Sequence, residues 1–552
     1  MTCALRVGAL AASLLLVSAE AALAQAWPAP LRGPPHSQPE VPTVQNALRG
    51  MADGTTSSEA ITRLGIRIML ERDQSRATRS PPLNSVLALN PSADDEAMAL
   101  DRQRAAGRLR GPLHGVPILI KDNIETRELP TTAGSLALAA NRTEQDAPIV
   151  ARLRAAGAFV FGKANLSEWA NIRSTRSTSG WSATGGLTRN PYVLDRNTCG
   201  SSSGSAAAVA AGIVPAAVGT ETDGSITCPA AANGIVGYHP TVGLLSRSRI
   251  VPISRSQDTA GPMTRTVADA AALLTVMAGS DPADPDTAEA DARRADYSAA
   301  LRPDALRGRR VGVLRYAAAA AHPQVQAAFD RAIADLRAVG AEPVEITAAP
   351  EGISTVGRDE LLVLLTEFRA DLNAYLATTP SAVRTRTLAD VIAFNREHAD
   401  QEMPFFGQEL FEQAEQTRGL QDPAYLEALR NSRGAARRAL ETLMSANRVD
   451  VLVAPTLGGP MWVTDLLNGD NFSGSVSTLP AVAGWPHLTV PMGQVGGLPV
   501  GLSFIGPRWA DAQVLAYGYA YEQGSRRFRA PEFLPTVEAQ PAIADHTRPS
   551  GR

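Results

Sequence analysis

Short apolar runs and longer alanine-rich amphipathic stretches alternate along most of this chain. The apolar runs stand at 116–120, 158–161, 214–218, 311–314, 449–453, 488–492 and 500–504. Each is brief and nearly continuous in aliphatic residues, as expected of strands covered on both faces. Between them, helical periodicity over 94–106, 148–156, 205–211, 267–277, 323–339 and 511–522 predicts helices. Strands interleaved with helices predict an α/β protein: one large domain with an extended, mixed, twisted sheet covered by helices.

Other segments depart from this alternation. Residues 43–73 read as helical, with Ser57-Ser58-Glu59 capping a stretch that carries Ile61, Leu64, Ile66 and Leu70. Residues 280–296 are rich in Asp, Ala and Pro and read as a surface excursion. From 361 to 447 the pattern is helical and carries seven spaced aromatics, from Phe368 to Tyr425. It predicts a helical elaboration able to wall a pocket. The tail 537–552 is polar and Pro-containing and reads as disordered. At the other end, residues 1–26 read as a signal peptide. Arg6 supplies the positive charge, 7–19 form an apolar stretch too short to span a bilayer, and cleavage falls after Ala24 or Ala26. The expected location is periplasmic or secreted, with no membrane association after cleavage.

A hydrophobic share of 44% and a net charge of −3 leave no electrostatic footprint for nucleic acid. Among 52 basic residues only Lys121 and Lys163 are lysines. Arg is always protonated, whereas a buried Lys can lose its proton and act as a base. Lys121 ends the apolar run Val116-Pro117-Ile118-Leu119-Ile120, so a buried strand would deliver it. Beyond the signal segment two cysteines remain, Cys199 and Cys228. They are equally compatible with one disulfide and with two buried thiols.

The most unusual composition runs from 199 to 229, where two Gly/Ser turns flank a helix and a strand. Such turns aim backbone N–H groups at one point, and serine supplies a hydroxyl nucleophile. Gly200-Ser201-Ser202-Ser203-Gly204 matches the G-x-S-x-G elbow of α/β-hydrolases, with Ser202 as nucleophile. That reading lacks a preceding strand and a supported downstream His; His487 reads as a packing residue. No His/Cys/Asp cluster has metal-ligand spacing, so no metal and no cofactor is expected.

The run Gly200–Ala208, the turn Gly219-Thr-Glu-Thr-Asp-Gly-Ser-Ile-Thr-Cys-Pro229 and the segment Gly115–Asn123 together resemble the amidase signature family. The likeness covers 43–528 and includes Gly162–Trp169, Ser256–Pro262 and Leu488–Met492. The pieces Cys199–Ser205, Thr188–Tyr192, Leu388–Asn395 and Phe406–Leu410 resemble exported bacterial peptide amidases most. The resemblance implies a Ser–Ser–Lys triad and an acyl-enzyme route for carboxylic amides, with C-terminal peptide amides as the expected substrates. Aryl- or fatty-acyl amides are the alternative, and a non-catalytic binding protein on the same fold a remoter one. Carried over by motif, Ser225 is the nucleophile. Ser201 is the bridging serine, following a cis peptide bond, and Lys121 is the base. The amides of Thr222, Asp223, Gly224 and Ser225 form the oxyanion hole, and Lys163 is structural. Thr227 stands where many members carry Arg, and His239-Pro240-Thr241 where Lys-Pro-Thr is usual; both fit a neutral amide. The expected partner is a small-molecule or peptide substrate, and the expected state a monomer.

Overall fold

The apolar runs pair edge to edge into one eleven-stranded sheet in the computed structural model, which describes residues 40–74, 81–351, 353–472, 474–540 and 543. The expected signal peptide, 1–26, lies outside these residues. The strands are β1 Val86–Leu89, β2 Pro117–Lys121, β3 Phe159–Ala164, β4 Ala216–Glu221, β5 Val236–His239, β6 Thr259–Thr264, β7 Arg310–Leu314, β8 Glu342–Ile346, β9 Val451–Pro455, β10 His487–Val495 and β11 Leu498–Ile505. Their order across the sheet is β1-β3-β2-β4-β6-β5-β10-β11-β9-β7-β8. Two parallel groups, β3-β2-β4 and β9-β7-β8, are joined by antiparallel pairs.

The continuity of the apolar runs follows from burial on both faces. On β2, Ile118 and Ile120 enter a core shared with Val218, Phe329 and Val451, while Leu119 enters the opposite core with Ala206 and Val209. Helix α1, Ser203–Ala210, is buried along its whole length. Its small residues let it lie against the sheet without a polar face. An added Cβ at Gly204 would press into Ser85 O and come within 2.5 Å of Asn165 O, so this position admits no side chain.

All seven expected strands are present, shifted by one to three residues at their ends. Four strands carry no clear pattern. β6 contains Gly261-Pro262, usually a strand breaker. Here Gly261 allows close approach to Tyr238 O. β5 is four residues long and holds Gly237. β1 and β8 lie at the sheet edges and are partly exposed. The stretch read as helical over 43–73 divides into Val44–Ala52, Ser58–Ile68 and a π-turn, Met69–Asp73. Ser57 Oγ accepts from Ala60 N, but Leu70 is 46% exposed because the π-turn rotates it off the apolar stripe.

After Thr227–Ala232 (α2), the helical elaboration begins with α3, Ile353–Ala377, and ends with α4, Pro423–Asn447. Phe368 of α3 stacks on Phe411, which meets the edge of Trp169 in a cluster that includes Ile253. The elaboration thereby braces loops from the sheet. A last short helix, α5, covers Thr478–Ala483. Val537–Ala539 form a 3-10 turn where disorder was expected to begin, and Val537 packs against the core that holds α1.

Gly204→Ala should destabilise the domain by about 3 kcal/mol, as overpacking against backbone does. Urea unfolding of the two proteins measures it; an unchanged midpoint would contradict the close approach.

Candidate active site

Lys121 leaves the carboxyl end of β2 fully buried. Its Nζ lies 2.7 Å from Ser201 Oγ, 2.8 Å from Thr220 Oγ1 and 3.2 Å from Thr220 O. Burial draws its pKa down from 10.5 to about 7, against the opposing pull of Asp258 and Glu221. Asn123 Nδ2 donates to the same Thr220 hydroxyl at 2.9 Å. A neutral amine has two N–H groups and one lone pair. In the neutral form, with Thr220 accepting both N–H groups, the lone pair would face the Ser201 hydroxyl.

Ser201 follows a cis peptide bond from Gly200. A side chain at Gly200 would collide with Ser167 Oγ, and Ser167 N donates to Ser201 O at 3.0 Å. Ser202 is also buried, with its hydroxyl donating to Thr220 O and accepting from Thr220 N. It lines none of the cavities described below and caps β4 rather than facing a substrate. The elbow reading with Ser202 as nucleophile therefore fails on geometry.

Ser225 closes the turn after β4. Its O accepts from Ser202 N at 3.1 Å, tying the two serine-bearing segments together. Ser201 and Ser225 line one small cavity with Thr220, Thr222 and Asp258. Ser225 also lines an open cavity of about 330 Å³ with Thr222, Asp223 and Gly224. The turn is anchored on every side. Glu221 Oε2 accepts from Ile226 N at 2.7 Å and Thr227 N at 2.9 Å. Asp223 accepts from Ser477 Oγ at 2.5 Å and Thr478 Oγ1 at 2.7 Å. Thr222 Oγ1 donates to Asp258 at 2.6 Å, and Gln257 Nε2 donates to Thr222 O at 3.3 Å. Among the described residues, no protein acceptor takes the amide hydrogens of Asp223, Gly224 or Ser225. Thr227 bonds to Glu221 and lines neither cavity.

Cys199 and Cys228 form a disulfide, with Cα atoms 5.9 Å apart. The alternative of two free thiols is thereby resolved. The bridge links the residue before Gly200-Ser201 to α2, three residues after Ser225. Lys163 Nζ donates to Ile124 O and Thr131 Oγ1, both at 2.8 Å, and pairs with Asp122 at 3.1 Å. It fixes the loop that follows Lys121. His487 is buried against Ser503 Oγ at 2.7 Å, and burial lowers its pKa to about 4. Among the described residues no group of three His, Cys, Asp or Glu side chains has a metal's spacing.

Several side chains at the site escaped the sequence reading. Asp258 also accepts from Ile253 N and Ser254 N, and burial raises its pKa to about 6. It lies in the 256–262 motif, so a signal existed. Glu360 of α3 accepts from Gln257 Nε2 at 2.8 Å. Burial and the nearby Asp223 push its pKa up to about 8. Nothing in its local sequence marks it. The same is true of Ser477 and Thr478.

The Amidase family model matches residues 69–515. A probable amidase of Arabidopsis thaliana is 40% identical over 465 residues, covering 82% of this chain and 86% of its own. The structure of native peptide amidase from Stenotrophomonas maltophilia is 47% identical with a TM-score of 0.83, covering 90% of this chain and 99% of that one. A bacterial aryl acylamidase of the amidase signature family is 25% identical with a TM-score of 0.73, over 89% and 97%. Fold, site and relatives agree: this chain is an amidase, a member of the amidase signature family.

Proposed function

We propose that the protein is an exported serine amidase that hydrolyses C-terminal peptide amides through Lys121, Ser201 and Ser225. One observation carries this reading: a buried lysine with a lowered pKa lies 2.7 Å from Ser201, which lines the same cavity as Ser225. Neutral Lys121 takes the Ser201 proton while Ser201 takes that of Ser225, and Ser225 Oγ attacks the amide carbon. The free amides of Asp223, Gly224 and Ser225, together with that of Thr222, stabilise the oxyanion; loss of one such donor costs about 10²–10³ in rate. Protonated Lys121 returns the proton through Ser201 to the departing nitrogen, which leaves as ammonia. Water then attacks the acyl-enzyme, giving its proton back along the same path and releasing the acid and Ser225.

The peptide reading over an aryl amide is supported by the higher identity to the peptide amidase, 47% against 25%. Export is supported by the 1–26 pattern and by a disulfide, a bond that persists in oxidising compartments.

An activated phosphonate should label Ser225, located by peptide mapping after intact-mass analysis; an adduct on Ser202 would sink the assignment. Lys121→Arg should lower kcat/KM by about 10³ or more while remaining folded, because guanidinium cannot accept the Ser201 proton. Lys163→Arg serves as the control. Since only neutral Lys121 acts as base, wild-type kcat/KM should rise with pH through about 7 and then level off. A flat profile from pH 5 to 8 would exclude Lys121 as the base.

A further inference from the structure

The sheet has two parallel groups, and a cavity opens at the carboxyl ends of each. The catalytic one lies beyond β2 and β4. The other, about 450 Å³, lies beyond β7 and β9, where Leu314 and Pro455 end their strands. That volume is in the range of small-molecule sites, and crevices at carboxyl strand ends are where open α/β sheets bind ligands. Its wall is mainly apolar, with Tyr316, Val356, Leu440 and Ile505 among its residues and, among the described residues, no charged side chain. Small residues leave room in its wall. Ala317 and Ala320 present methyl groups, and Gly357 stands inside α3, where glycine costs about 1 kcal/mol relative to Ala. Among the described residues no close approach requires that glycine, since an added Cβ would meet none of their atoms within 4 Å.

The partition between the cavities is segment 475–478. Ser475 and Thr478 line both, Ser477 only the catalytic side, and Val476 only the apolar side. This same segment holds the nucleophile's turn. Ser475 and Ser477 hydroxyls lie 2.8 Å apart, and Ser477 and Thr478 both donate to Asp223, two residues before Ser225.

We propose that this second cavity binds the uncharged alkyl chain of a small amphiphile, and that its occupancy is felt at Ser225 through Thr478, Ser477 and Asp223. The effect on turnover rests on the peptide-amidase reading; the site itself does not. A bound chain supports the partition from behind, so it changes kcat and leaves substrate binding alone.

The probes are n-alkanols from hexanol to dodecanol, with ammonia release from N-acetylalaninamide as the assay and thermal shift as an independent measure of binding. Affinity should rise about fourfold per added CH₂ until the chain outgrows the cavity. Saturation should raise kcat about 5-fold with KM unchanged, the low end of usual coupling. Gly357→Leu and, should that variant fold poorly, Ala317→Met should remove both the thermal shift and the kcat response while keeping basal kinetics. Competition that raises KM, undiminished binding in the filled variants, or binding with kcat unmoved would each overturn the proposal. If N-acetylalaninamide is not cleaved, the peptide-amidase reading fails. The thermal shift against Gly357→Leu then decides the site by itself, and any amide the enzyme does cleave decides the coupling.

Discussion

The removal of one ammonium group from water is the constraint on which this site depends. Lys121 has no contact with solvent, and burial outweighs two carboxylates, Glu221 and Asp258, that favour its charged form. A charge in so dry a place is costly unless it is paired, and burial accordingly draws the Lys121 pKa down to about 7. Thr220 then decides the orientation. By accepting through both its carbonyl and its hydroxyl it occupies two faces of the amine and leaves the third toward Ser201. A buried sheet strand is the means of holding a lysine this still and this dry.

Lys163 makes the contrast within the same sheet. It is equally buried and its pKa is also lowered, yet it pairs with the carboxylate of Asp122 and donates to carbonyls. Its hydroxyl partner, Thr131, donates its own proton to Ile124 O, so Lys163 braces a loop. Burial and a hydroxyl partner are common to both lysines; the Asp122 carboxylate holds Lys163, whereas Lys121 has no ion-pair partner among the described residues and its Ser201 lines the cavity shared with Ser225.

A second feature is the turn 222–225, which lines a cavity and, among the described residues, leaves the amides of Asp223, Gly224 and Ser225 without a protein acceptor. Its other polar groups are held elsewhere. Glu221 takes the amides that follow Ser225, Asp258 takes the Thr222 hydroxyl, and Ser477 and Thr478 hold Asp223. The disulfide and the Ser202–Ser225 backbone bond keep the two serine segments in register. The longest of these ties, from Ser477 and Thr478 to Asp223, span 254 and 255 residues, and α3 adds one of 103 by bringing Glu360 to Gln257.

The local sequence determined the elements buried on both faces, because a strand or helix without a wet side must be apolar or small throughout. The motifs around Lys121, Ser201 and Ser225 carried the family resemblance, because their glycines and serines answer to backbone geometry within a few residues. Edge strands such as β8 were illegible because half-exposed positions accept almost any residue, and β6 because Gly261-Pro262 is tolerated only where Tyr238 packs close. Tertiary structure alone decided that Ser202 faces Thr220 rather than a substrate, and that Cys199 meets Cys228. It alone lowered the pKa of Lys121, since desolvation is a sum over all surrounding atoms. Glu360 and the 475–478 partition reach the site the same way, by long-range packing that leaves no mark on neighbouring residues.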